Sequence, residues 1–258
     1  MPKIGIRVLL LVSAAVPGLA RTAGADETLL CARYITSVPT VITRPGHYCL
    51  GTNIDTAMAT GSAIIIQSDS VFLDLNNFTL DNSAAGMGTE ADGIVGFNHR
   101  DVTVRNGTVK GFMFGVDLET LTRGANYTVE NVRVVGNTVA GIFVTQYQGP
   151  GGGYVIRNNV VLDTGGSTAF GAGSAFGIVL GGGGHLSGNE IINVFAAHDA
   201  IAIDAREGAA IIAGNRISAS KTGVQCGSAD VVVKDNVAVG ATTAYGPLCT
   251  TVAVTNFP

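Results

Sequence analysis

The sequence predicts an all-β chain: a single-stranded right-handed parallel β-helix, a three-sheet solenoid of about seven coils with N- and C-terminal caps. Three observations carry this. An asparagine set between two short apolar runs recurs along the chain. A small residue followed by alternating apolar positions precedes each copy. The composition holds 36 glycines and 47% apolar residues against only 13% charged ones, which favours many short strands and tight turns over amphipathic helices.

The asparagine pattern appears as Leu75-Asn76-Asn77-Phe78, Val104-Arg105-Asn106-Gly107 and Val129-Glu130-Asn131-Val132. It continues as Ile156-Arg157-Asn158-Asn159, Ser187-Gly188-Asn189-Glu190, Ala213-Gly214-Asn215-Arg216 and Lys234-Asp235-Asn236-Val237. Counting from Asn77 through Asn106, Asn131, Asn158, Asn189, Asn215 and Asn236, the steps are 29, 25, 27, 31, 26 and 21 residues. That irregular period suits one turn of a β-solenoid. A corner between strands needs a residue tolerant of left-handed backbone geometry, and stacked asparagines can hydrogen-bond to one another as a ladder. All seven are therefore expected along one edge. Asn77-Phe78-Thr79, Asn106-Gly107-Thr108 and Asn126-Tyr127-Thr128 match the glycosylation triplet, but the first two fall on this ladder.

The second element reads Ser62 to Ile66, Gly93-Ile94-Val95, Gly115-Val116-Asp117-Leu118, Gly141-Ile142-Phe143-Val144, Gly177-Ile178-Val179-Leu180, Ala200-Ile201-Ala202-Ile203 and Gly223-Val224-Gln225-Cys226. Alternation points Val116, Leu118, Ile142, Val144, Ile178, Leu180, Ile201 and Ile203 inward, and Asp117, Phe143, Val179, Ala202 and Gln225 outward. Each coil is then three strands: this one, one before the asparagine and one after it.

The ends carry different signals. Residues 1–25 read as an export signal: Lys3 and Arg7, a short apolar run from Val8 to Val16, then Ala23-Gly24-Ala25 as a cleavage pattern. That run is far short of the roughly 20 apolar residues a spanning helix needs, so no membrane span is expected and the protein is placed as secreted or periplasmic. Cys31 with Cys49 and Cys226 with Cys249 form two sequence-local pairs, expected as disulfides in an oxidising compartment. Their spacing fits no zinc site. Loss of Lys3, Arg7 and Arg21 with the signal leaves 12 basic against 19 acidic side chains, a formal charge of −7, which argues against nucleic acid. Residues 26–258 form a single domain, with a cap over 26–60, coils over 61–239 and a second cap over 240–258.

The repeated V-x-x-N-x-V corners and G-I-x-V strands resemble the right-handed parallel β-helix repeats of the pectate-lyase-like superfamily. The opening from Cys31 through Pro39-Thr40-Val41-Ile42-Thr43 and Pro45-Gly46-His47-Tyr48-Cys49-Leu50 resembles the cap of its exported bacterial members. The resemblance implies a substrate groove across the first parallel sheet and its flanking loops. It does not fix an activity, because the superfamily holds lyases, hydrolases, epimerases, esterases and adhesins. Its calcium-dependent lyases use aspartates with a catalytic arginine, and its galacturonan hydrolases an aspartate pair with G-H-G and R-I-K segments. None of these is intact here, and Gly184-His185-Leu186 is a partial echo. No cofactor is expected, calcium being unsupported by a motif.

The polar groups left on the corresponding face are the candidate site. For proton abstraction beside a uronic carboxylate, His198 or Tyr147 is the base and Arg206 neutralises the carboxylate. Asp117, Phe143, Asp199 and Asp204 are the substrate-binding set. Asp117 and Asp204 lie three coils apart, roughly 14 Å at the strand spacing of a sheet, too far for a hydrolytic carboxylate pair. The glycine runs Gly149 to Gly153 and Gly181 to Gly184 lack the residues of a phosphate loop and read as corner loops. The expectation is a protein that binds or modifies a polysaccharide or cell-surface glycan, lyase- or epimerase-type if enzymatic. The alternative is a non-catalytic solenoid serving as an adhesin, envelope or interaction module.

Overall fold

The computed structural model describes residues 31–121, 125–148, 152–169 and 173–251. The export signal read over residues 1–25, the glycines at 149 and 151 and the end of the expected C-terminal cap lie outside the described residues.

The chain winds as a parallel β-solenoid, and every strand pair among the described residues is parallel. One nine-stranded sheet is built from Thr40–Ile42, Thr60–Ile66, Glu90–Phe97, Phe114–Thr120, Ala140–Gln146, Ser174–Gly181, Asp199–Glu207, Thr222–Cys226 and Thr243–Tyr245. A 16-stranded sheet forms the other two faces. It is continuous because Val102–Lys110 and Thr128–Val135 run unbroken round the asparagine corner and pair on both sides of it. Three faces therefore enclose one apolar column, with Ile94, Val116, Ile142, Ile178, Ile203 and Val224 fully buried in one file of it. No α-helix occurs among the described residues. The disulfides Cys31–Cys49 and Cys226–Cys249 tie down the two ends.

The small residue that opens each strand motif has a steric cause. The ladder of the nine-stranded sheet skips one position per coil, between pairs such as Phe114↔Ala140 and Val116↔Ile142. At that bend the chain turns a residue into the column beside its neighbour. A Cβ added to Gly115 would lie 2.4 Å from Val134 Cγ1 and 2.7 Å from the Gly141 oxygen; one on Gly177 would lie 2.5 Å from the Ala202 oxygen. No side chain fits at these two positions without a shift, and where the file does carry one, at Ala202, it is a methyl.

This bend corrects the expected register. Ala202, not Ala200, is the counterpart of Gly177, because Phe176 pairs with Ile201 and Ile178 with Ile203. Ala202 is therefore buried rather than outward, and Ile201 stands with Phe176 on the outer side. Asp204 takes the outward place assigned to Ala202, in the file Asp117↔Phe143↔Val179↔Asp204↔Gln225. The three-coil separation of Asp117 and Asp204 stands.

The asparagines do line one corner, but in two adjacent files rather than one. Asn106, Asn131 and Asn158 occupy the left-handed position, with φ of 56°, 54° and 55°; Gly188, Gly214 and Asp235 fill it in later coils. The next residue points inward, and there Asn159, Asn189, Asn215 and Asn236 are buried. Each of the first three donates through its backbone N–H and its Nδ2 to Oδ1 of the next, at 2.8–3.0 Å. The ladder ends at Val132, whose N–H donates to Asn159 Oδ1 at 2.9 Å. In the coil of Asn77 the corner is two residues longer, with four residues between the paired Asp74 and Thr79 against two between Arg105 and Thr108. Asn77 therefore lies at the corner outside the ladder. Asp74 secures this end instead, accepting hydrogen bonds from Arg105 Nε at 2.9 Å and Asn106 Nδ2 at 3.1 Å.

Candidate functional site on the outer face of the nine-stranded sheet

Three outward files cross this face. Asp92, Phe114, Ala140, Phe176 and Ile201 directly precede the small residue at each bend. Val95, Asp117, Phe143, Val179 and Asp204 follow it by two residues. Phe97, Glu119, Thr145 and Gly181 lie two residues further on, where the ladder slips between Gly181 and Glu207 and leaves Arg206 as an extra residue. Such a bulge re-aims a side chain. Here it turns the Arg206 guanidinium back over the sheet.

That guanidinium is anchored on one side while 44% of the side chain stays exposed. Its Nε donates to Asp204 Oδ2 at 2.7 Å. Its Cζ lies 5.0 Å from the Phe176 ring centre and 5.8 Å from that of Phe143, within cation–π range. Phe143 also meets Phe114 edge-on, with centres 5.4 Å apart. Burial raises the Asp204 pKa, and the Arg206 contact works against that rise. Phe143, Thr145, Gln146, Tyr147, Gly181 and Arg206 line an open pocket of about 150 Å³. This is below the ~300 Å³ at which small-molecule sites usually begin, so it suits one unit of a longer ligand.

Beside the pocket stands a group of acids. The Tyr147 hydroxyl donates to Glu119 Oε1 at 2.7 Å, and Tyr147 is 53% exposed, so this pair faces solvent. Asp117 and Glu119 are two residues apart on the same face of one strand, roughly 7 Å between Cα atoms. Asp92, on the neighbouring strand, accepts a hydrogen bond from the Phe114 N–H. One oxygen of Asp92 and one of Asp117 are sealed from solvent with no hydrogen-bond partner among the described residues. Burial, with the Glu119 and Asp92 charges adding to it, pushes the Asp117 carboxyl up to about 8. Asp92 is raised to about 6, again mainly by burial. In both cases burial is the first cause, and no cation is among the groups that act on either carboxyl. A buried carboxylate near others of its kind keeps its proton.

The structure thus brings together Asp117, Phe143, Tyr147, Asp204 and Arg206 of the sequence-derived set. It does not bring His198 and Asp199 to them. Those residues are exposed at the opening of the strand Asp199–Glu207, where the His198 carbonyl accepts from Lys221 Nζ and Asp199 pairs with Ser174. The distance from Asp199 to Arg206 along the strand is roughly 23 Å. Asp92, Phe114 and Phe176 were not selected from the sequence, although alignment on the residue just before each small one would have found all three.

Elsewhere, Cys31, His47 and Cys49 cluster, but both sulfurs are committed to the disulfide, and no other group of potential metal ligands is close enough to share an ion among the described residues. No described helix is long and apolar enough to cross a membrane. Comparison with protein-family models, curated proteins and solved structures returns no match for this chain. The chemistry of the face must therefore be read from its own geometry.

Proposed function

We propose that this chain is an exported β-helix protein that binds or modifies a polysaccharide on the outer face of its nine-stranded sheet. The observation that carries the reading is the run of Phe114, Phe143 and Phe176 on three successive coils, flanked by Glu119, Tyr147, Asp204 and Arg206 and ending in a one-unit pocket. Coils repeat at about 4.8 Å, so such a row offers a linear track to a linear ligand. Aromatic rings take the apolar faces of sugar units and the flanking polar groups fix their orientation. The two disulfides agree with an oxidising compartment outside the cytoplasm. The repeat and cap resemblance to the pectate-lyase-like superfamily supports the same reading and leaves the activity open.

The test is a panel of defined polysaccharides, scored for retention and for ultraviolet-absorbing unsaturated products. Retention on at least one polysaccharide is expected, weakened about tenfold by Tyr147→Ala and by Phe143→Ala, which corresponds to about 1.4 kcal/mol each. Retention unchanged by both substitutions would move the site off this face.

A further inference from the structure

The strands that follow the asparagine corner form a second outward surface, away from the nine-stranded sheet. Their buried file runs through Val134, Val161, Ile191, Ile217 and Ala238, so the residues on either side of it point out of the solenoid. One outward file is Val135↔Leu162↔Ile192↔Ser218↔Val239, and the other is Arg133↔Val160↔Glu190↔Arg216↔Val237. The aliphatic members are half-buried, except Val239 at 58% exposure. An open groove of about 250 Å³ continues the stripe between Glu190, Arg216, Ser218, Val237 and Val239. Purely parallel sheets ordinarily have both faces covered, and an apolar stripe rimmed by charge marks a surface that meets another molecule.

The charges point to what that molecule is. On the same 16-stranded sheet, Asp74 pairs with Arg105, Asp81 with Lys110 and Glu130 with Arg157, at 2.6–2.9 Å. Arg133, Glu190 and Arg216 have no ion-pair partner among the described residues. Arg133 and Glu190 stand two coils apart, roughly 9.6 Å, with Val160 midway between them. Consider a second copy turned by 180° about an axis parallel to the strands at the level of Val160 and Leu162, and laid on the first. Coil order reverses and each file faces itself. Arg133 then faces Glu190 of the partner subunit, and Glu190 faces the partner's Arg133. Val160 and Leu162 meet their own counterparts, and Val135 meets the partner's Ile192. Packed sheets lie about 10 Å apart, a gap that an arginine and a glutamate together span. A file with one sign of charge at both places would repel its copy; this one attracts it.

We infer that this face is the interface of a two-fold dimer of the chain, with the aliphatic stripe at its centre and two Arg133–Glu190 ion pairs flanking it. The inference does not depend on the glycan reading, which concerns the nine-stranded sheet. The stripe is one short strand wide and roughly 19 Å long over its four coil steps, which falls below the ~800 Å² per partner of a standard interface. The dimer is therefore a reversible one.

Sedimentation equilibrium of the protein as exported, from about 1 to about 200 µM, reads the association. Monomer is expected at the low end and dimer at the high end. Leu162→Asp sets a carboxylate against its own copy on the axis and should abolish the dimer. Arg133→Glu and Glu190→Arg each set like charges opposite one another and should weaken association about tenfold or more; joined in one chain, they should return it to within about threefold of the original. Urea unfolding of each variant checks the fold, and Leu162→Ser, expected to weaken the dimer, serves if Leu162→Asp does not fold. Monomer at every concentration overturns the inference. So does a dimer left intact by both Leu162 variants, or a double variant no tighter than the single ones. A chain that stays monomeric but loses polysaccharide retention on Leu162→Asp would give the stripe to the glycan and equally overturn the dimer.

Discussion

Two rows of buried polar groups run through this molecule, and they are treated in opposite ways. Along the asparagine corner, Asn159, Asn189, Asn215 and Asn236 are buried, and each rung is tied to the next by two hydrogen bonds into one Oδ1. Their Nδ2 groups also reach the Val129, Ile156, Leu186 and Ile212 carbonyls. On the outer face of the nine-stranded sheet, Asp92 and Asp117 each leave an oxygen sealed and unpaired, with burial lifting both above the usual carboxylate range. A satisfied row holds a fold in register; an unsatisfied one is a strain that a fold has no use for.

The largest effect should come from breaking the satisfied row. Asn189→Ala takes the acceptor from the Asn159 backbone N–H and a donor from the Ile156 carbonyl, and a loss of roughly 2–4 kcal/mol is expected in urea unfolding. Asn158→Gly, one residue from the ladder at a φ of 55°, should change stability by less than about 0.5 kcal/mol. Equal losses at the two positions would erase the distinction between corner and ladder.

That distinction was only half legible in the sequence. The recurrence of asparagine marked the corner, because few residues tolerate its backbone geometry. Two neighbouring positions both favour asparagine, however, one for its φ and one for its side-chain bonds, and Asn158-Asn159 satisfies both at once. A motif anchored on the letter alone slides from one file to the other there. The outer face was obscured in a similar way. Strict alternation along Ala200-Ile201-Ala202-Ile203 hides the bend that turns two successive residues inward, so the outward place beside Val179 goes to Ala202 in the sequence pattern and to Asp204 in the structure. The partners of Arg206, and the one oxygen each of Asp92 and Asp117 that has none among the described residues, depend on distances that no spacing encodes.

The unsatisfied row gives the next effect, and its sign follows from the raised pKa. The folded protein holds the Asp117 proton up to about pH 8, whereas the unfolded chain releases it near the ordinary aspartate value of 3.8. This group's contribution is therefore fully present below that lower value and is lost as pH rises through the folded pKa. Asp117→Asn should raise stability at pH 9 by a few kcal/mol, on the order of 2–3, and change it little at pH 4. A variant that destabilises the fold equally at both pH values would make Asp117 an ordinary structural residue.

A smaller effect sharpens the comparison from the other side. Val132 sits where the ladder stops, its N–H already bonded to Asn159 Oδ1, and its partner in the preceding coil is Gly107. Val132→Asn adds a rung and should cost less than about 1 kcal/mol. Val134→Asn, buried in the apolar column without a rung to join, should cost roughly 3 kcal/mol or more. Thermal or urea unfolding of the two variants side by side reads this difference.

The most direct test of the contrast is a carbon-detected NMR titration of the aspartate carboxyl groups, assigned through Asp117→Asn. The account predicts an Asp117 midpoint near 8. An Asp117 that titrates as an ordinary carboxyl would contradict it.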